Sequence, residues 1–164
     1  MFELPAIPDW THPALNHCAA AGLLTHNATP ALIARHAAGR IVYLATPYVD
    51  DIAGDANGMP FDLDASIACG DAAMACAREL VLAGVTALPV AALMAGMVQA
   101  DLDEFRLDPL DREFWACWSA PFLRGAGAVA IAPVPGWNAS AEVWAVLRWA
   151  LGLRTPVFVM GEMP

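Results

Sequence analysis

A chain of 164 residues fits one domain with a single buried core. Its 59% hydrophobic and 15% charged content is more apolar than a typical soluble monomer, which predicts that part of the surface is covered in a homodimer or higher homo-oligomer. The formal charge is −9, with no lysine and eight scattered arginines; that argues against binding a nucleic acid polymer, a P-loop and any Schiff-base mechanism.

Residues 1–39 read as a helical N-terminal extension, and residues 40–164 as the α/β domain proper. Pro5, Pro8 and Pro13 punctuate the first stretch. Ala14 to Leu24 predicts a short helix. Thr29 as N-cap and Pro30 at the first helical position open a second, with Gly39 as terminator. All four histidines, His12, His17, His26 and His36, fall here, at spacings of 5, 9 and 10. None is the i, i+4 pair that sets two imidazoles on one helix face, so no metal site is expected. The remainder has no histidine for a Ser-His or Cys-His nucleophile system. The N-terminus lacks a positive region followed by an apolar run, and Cys18, Cys69, Cys76 and Cys117 form no CxxC pair. Buried free thiols in a reducing cytoplasm are expected.

Arg40-Ile41-Val42-Tyr43-Leu44-Ala45 is a continuous apolar run, as in a strand buried on both faces. Thr46-Pro47-Tyr48 ends it, and an acidic loop through Asp50, Asp51, Asp55 and Gly58 follows. A helix is predicted from about Leu63 to Ala83, with Asp62 or Asp64 near its start. Val81 to Val98 carries no charge and imitates a membrane span. Gly84 and Pro89 interrupt it, so a helix end, a strand over about Val85 to Val90 and a Pro-led turn are expected instead. Past an Ala/Met-rich stretch and a charged region, a helix covers about Pro109 to Arg124. Ala126 to Ala132 is the third core strand, about Ser140 to Leu151 a helix, and Thr155 to Met160 the last strand.

Alternation of apolar strands and helices predicts a three-layer α/β/α doubly wound domain, flavodoxin-like or Rossmann-like, with a parallel sheet of four to five strands. Ligands bind such sheets at the carboxyl ends of the strands. That edge collects Thr46 to Tyr48, Pro133 to Asn138, and Gly161-Glu162. Within the acidic loop, Asp55, Asn57, Gly58 and Asp64 partly fit a calcium loop, but its first ligand would be Ala53, so a solvated turn is expected. No GxGxxG follows the first strand, and no cofactor is expected. What remains is Ala45-Thr46-Pro47-Tyr48 facing Pro135-Gly136-Trp137-Asn138-Ala139-Ser140. Small residues there permit close backbone approach to a ligand, and the second loop enters a helix with free N–H groups.

In order, the chain carries YLATPY, a helix, Ala-Gly-Val with a strand ending in Pro-Val, EFW, PGWNAS before a helix, and TPVFVM. This succession resembles the nucleoside 2-deoxyribosyltransferase-like superfamily and, within it, the uncharacterised DUF1937 family, over about Ile41 to Met160. The superfamily breaks or exchanges N-glycosidic bonds. The resemblance implies a glutamate nucleophile after the Gly-Trp-x-x-Ser loop and an acid near the third strand. It places ligand contacts at Tyr43, Ala45, Thr46, Pro47, Tyr48, Gly136, Trp137 and Ser140. The nucleophile maps to Val146, the acid to Ser119, and an expected glycine to Glu142. Neither Val146 nor Ser119 can do the work of a carboxylate.

The leading expectation is therefore a nucleoside or nucleotide-type small-molecule binder with a degenerate catalytic site. The second is an active N-glycosidic-bond hydrolase or transferase using Glu142, with Asp50 or Asp51 as acid. The third is a structural or interaction module whose pocket is filled by its own side chains, with the histidine-bearing extension as its partner-binding element. Trp137, Trp144 and Trp149 are in addition candidates for a subunit interface.

Overall fold

The computed structural model describes residues 4–54 and 61–161. Five strands form one parallel sheet: β1 (Leu24–Thr25), β2 (Ile41–Ala45), β3 (Thr86–Pro89), β4 (Ala128–Ile131) and β5 (Val157–Val159). Their order is β1-β5-β4-β2-β3. Counted from β2, the four core strands follow a doubly wound order, and the fifth place is filled by β1 from the N-terminal extension. The direction of winding reverses between β2 and β4, the position at which such sheets open a crevice.

Alternate residues of each strand serve opposite faces, which is why the central strands β2, β4 and β5 are apolar throughout. On one face Val42, Leu44, Ala128, Ala130 and Phe158 pack with Ile33 of α2 (Pro30–His36) and with Ala77 and Leu80 of α3 (Leu63–Leu82). On the other, Tyr43, Ala45, Val129, Ile131, Val157 and Val159 meet residues from four helices: α1 (Pro13–Ala20), α4 (Val90–Ala100), α5 (Arg112–Gly125) and α6 (Ala141–Gly152). These are the three layers expected of the sequence, with a sheet at the upper end of the four to five strands anticipated.

Local chemistry sets the helix starts. Thr29, Asp62, Asp111 and Ser140 each accept a hydrogen bond from the backbone N–H three residues on. Pro13 and Pro30 occupy first-turn positions, where the missing N–H costs no bond. Two elements differ from expectation. The first helix stops at Ala20, and Leu24–Thr25 leaves it to pair with Val157 and Phe158. The stretch after Pro89 is a full helix, α4, rather than a turn. It lies tightly on α3 because Gly70 has no side chain: a Cβ there would stand 2.9 Å from that of Ala95.

The N-terminal segment is laced into the core. The Trp10 indole meets those of Trp137 and Trp144 edge to face, at centroid distances of 4.8 and 5.1 Å. Its N–H donates to the Asn138 carbonyl at 2.6 Å, and the Trp144 N–H donates to the Pro5 carbonyl at 2.8 Å. Trp137 and Trp144 are therefore buried by the chain's own first residues. That accounts for two of the three tryptophans anticipated at a subunit contact; Trp149 lines the cavity described below.

No helix among the described residues is long and apolar enough to cross a membrane. Asp55, Asn57, Gly58 and Glu162 lie outside the described residues.

Candidate functional site

A cavity of about 350 Å³ opens beside the carboxyl end of β2, between that strand and α4, α5 and α6. The volume is within the range of small-molecule sites. Tyr43, Ala45, Thr46 and Tyr48 line it from the strand and its exit, and Val90, Ala91 and Met94 from α4. Helix α5 contributes Arg112, Trp115, Ala116, Ser119, Ala120 and Leu123; α6 contributes Glu142, Val143, Val146 and Trp149, among others. Small residues at Ala116 and Ala120, one helical turn apart, hollow out the α5 wall.

Polar groups are few. The buried Thr46 Oγ1 has no hydrogen-bond partner among the described residues, an unusual state for a shielded hydroxyl. Burial pushes the Tyr43 phenol up to about 12, against a hydrogen bond with Ser119 that lowers it. The Tyr48 hydroxyl is spent on Ser66, 2.8 Å away.

Glu142 is the one carboxylate lining the cavity among the described residues. It stands in the first turn of α6, one turn before Val146 on the same helix face. Its Oε2 accepts from the backbone N–H groups of Tyr48 at 3.0 Å, Val49 at 2.8 Å and Asp50 at 3.5 Å. Oε1 carries no bond among the described residues and is not among the shielded unpartnered atoms, so it keeps some access to solvent. Burial pushes the Glu142 carboxyl above its ordinary value; the Tyr48 amide pulls it back and the Asp50 charge raises it further. The net result is a carboxylate that staples the loop after β2 to α6, across the point where the sheet's winding reverses.

Arg112 is the sole cationic side chain lining the cavity among the described residues, and it forms a close ion pair with Asp50. Neither Asp50 nor Asp51 lines the cavity. Asp51 lies beside Gly136, where an added Cβ would stand 3.7 Å from Oδ1. Burial pushes the nearby Cys69 thiol up to about 11, which keeps it protonated and poorly nucleophilic at neutral pH.

Of the residues anticipated to contact ligand, Tyr43, Ala45, Thr46, Tyr48 and Glu142 meet at this cavity. Pro47, Gly136, Trp137 and Ser140 are not among its lining residues. Gly136 takes φ +77 in the turn, Trp137 is covered by Trp10, and the Ser140 hydroxyl caps α6 by accepting from Val143 N–H at 3.3 Å. The two positions expected to hold carboxylates, Val146 and Ser119, both line the cavity. Arg112, and the contributions of Val90 and Ala91 from α4, were not anticipated. The signal for Arg112 was an arginine directly after the capping residue Asp111, at the mouth of a helix whose Ala116, Ser119 and Ala120 share a face. Among the described residues no group of three or more His, Cys, Asp or Glu side chains could hold a metal ion.

The model of the family described as a domain of unknown function, DUF1937, matches residues 40–162, and the chain belongs to that family. No curated protein and no solved structure matches the chain.

Proposed function

From this DUF1937 membership and the geometry of the cavity, we propose that the protein binds a small molecule of nucleoside or nucleotide type and turns it over poorly or not at all. The observation that carries this reading is the joint presence of Val146 and Ser119 in the wall of one open cavity. They occupy the places that resemblance to the nucleoside 2-deoxyribosyltransferase-like superfamily assigns to its nucleophile and acid. A valine forms no glycosyl ester, and a serine of ordinary acidity is a poor proton donor to a leaving base. The pocket itself remains, with apolar walls for a base and hydroxyl partners in Thr46 and Tyr43 for a sugar. The test is a panel of deoxynucleosides and nucleotides read by thermal shift and by release of free base. A ligand of the folded state raises the melting temperature. Stabilisation without base release is expected; rapid base release would refute the degenerate-site reading.

A second reading is favoured by one observation, the Oε1 of the cavity-lining Glu142, which carries no bond among the described residues. It makes Glu142 the nucleophile of an active N-glycosidic-bond hydrolase or transferase. The lining holds no second carboxylate to act as acid, and Asp50 is engaged by Arg112. Any base release by the wild type that Glu142→Gln abolishes would establish this reading. The open cavity weighs against a purely structural module whose pocket is filled by its own side chains.

The same proposal includes a homo-oligomer in the cytoplasm. Exposed Met74, Val81 and Leu82 on α3 and Leu93 on α4 support the first part, and four free cysteines support a reducing compartment. Light scattering behind size exclusion tests the oligomer directly.

A further inference from the structure

We propose that this cavity selects its occupant by charge: it takes a body that presents a hydroxyl or, better, a protonated amine to Glu142 Oε1, and it rejects an oxyanion. The inference rests on the small-molecule reading above and narrows it, from nucleosides and nucleotides alike to uncharged or cationic ligands of nucleoside type.

The argument is a balance of charges around one space. Arg112 brings the cavity its single positive side chain among the described residues, and Asp50 already neutralises it. Glu142 takes part in no ion pair among the described residues. In contact with it are partial charges only, three backbone N–H groups on Oε2 and the amino end of α6; the Arg112 guanidinium, already paired with Asp50, acts on it through space. Oε1 is left without a partner among the described residues on a side chain that lines a mostly apolar hollow, where solvent screening is weak and a carboxylate strongly favours a donor or a cation.

An oxyanion meets the opposite situation. To reach Arg112 it must displace Asp50, and three acidic groups then share one guanidinium. Neutral donors fit the remaining partners. Thr46 Oγ1, unpaired and shielded, and the Tyr43 phenol both accept as well as donate. The aromatic side chains of Tyr43, Trp115 and Trp149 in the walls add to the preference, because ring faces attract cations and not anions.

The test uses three probes with one body and three charges: thymidine, 5′-amino-5′-deoxythymidine and thymidine 5′-monophosphate. A second pair, 2-phenylethylamine and 3-phenylpropionate, carries the same charge contrast without a nucleoside body. Dissociation constants are measured by calorimetry on the full chain at neutral pH. The amine is expected to bind at least tenfold more tightly than the monophosphate, with thymidine between them, and the arylamine more tightly than the arylcarboxylate. Glu142→Gln is expected to level the amine's advantage. Asp50→Asn, which frees Arg112 and leaves Glu142 in place, is expected to improve monophosphate binding at least threefold. Should Glu142→Gln fail to fold, the Asp50→Asn comparison decides.

A monophosphate that binds the wild type as tightly as the amine overturns the charge rule, as does an amine advantage that survives Glu142→Gln, or a monophosphate affinity that Asp50→Asn leaves unchanged. Nucleosides that bind without a charge order sink this inference and leave the proposed function standing. An arylamine preferred over its carboxylate while no nucleoside binds does the reverse. If no probe binds, both fall.

Discussion

Glu142 Oε2 and the Val49 amide lie 2.8 Å apart, and the same oxygen also receives the amides of Tyr48 and Asp50. A single carboxylate oxygen thereby fixes the chain's exit from β2 onto α6. Glu142→Ala leaves three amides without their acceptor, and we expect it to lower stability by about 1–3 kcal/mol, the cost of shielded donors left unsatisfied. Glu142→Gln keeps a carbonyl oxygen in place and should cost less. Urea unfolding of both variants checks the order; equal losses would mean that the carboxylate's charge, not its oxygen, holds the loop.

The same residue gives stability a pH dependence. Burial, together with the Asp50 charge, raises the folded Glu142 carboxyl above its ordinary 4.5. The folded state then binds the proton more tightly than the unfolded state does. Glu142's contribution is fully present below pH 4.5 and is lost as the pH rises through the raised folded value. Wild type minus Glu142→Gln stability should therefore decline upward from pH 4.5 and level off above the folded titration. A difference that grows with pH over that interval would contradict the burial-dominated shift.

Trp10 is buried between Trp137 and Trp144 and donates to the Asn138 carbonyl. Trp10→Ala removes a large ring from a close-packed site, and about 3–5 kcal/mol of destabilisation is expected. Trp10→Phe restores much of the ring contact and loses the N–H donor, so it should fall between wild type and Trp10→Ala. Denaturant midpoints measure both. A Trp10→Ala variant as stable as wild type would mean that the N-terminal segment does not hold α6 in solution.

The parts of this molecule that could be read from sequence are those specified by neighbouring residues. Thr29, Asp62 and Ser140 announce helix starts because the side chain bonds an amide only three positions away. β2 is legible because an unbroken apolar run bounded by Thr46-Pro47 has one economical interpretation. Helix α4 is not, since Val90 to Val98 is apolar all round and shows no period to distinguish helix from strand. β1 is two residues long, and its partner Val157 stands at the far end of the chain. At the site, Thr46 and Tyr48 followed from the strand's end, and Tyr43 and Glu142 from the resemblance to the nucleoside 2-deoxyribosyltransferase-like superfamily. Gly136 and Trp137 did not meet the cavity, because Trp10, distant in sequence, claims the loop first.

Gly70 and Ala95 offer a reciprocal test of the α3–α4 contact. Gly70→Ala sets a new Cβ 2.9 Å from that of Ala95, too close without movement. Overpacking of about 1–3 kcal/mol opposes a gain of about 1 kcal/mol in helix propensity, so net destabilisation is expected. Adding Ala95→Gly reopens the space, and the double variant should recover part of the loss beyond what the single effects sum to. Strict additivity across this cycle would show that the two helices can separate freely at Gly70.

The chain has two tyrosines, Tyr43 and Tyr48, so phenol ionisation can be read without ambiguity from other residues. Burial raises both, Tyr43 to about 12. In the folded protein, phenolate absorbance near 295 nm should rise at higher pH than in the urea-unfolded chain, which should titrate both phenols near the ordinary value of 10. A folded value above the unfolded one means that stability from Tyr43 is intact below pH 10 and is lost as the pH climbs toward about 12. Tyr43→Phe keeps the ring, removes the ionisable oxygen and should flatten part of that alkaline decline. Phenolate absorbance that has risen by a quarter of its final amplitude at pH 10 in the folded protein would place one of the two hydroxyls in water, and with it the wall of the cavity.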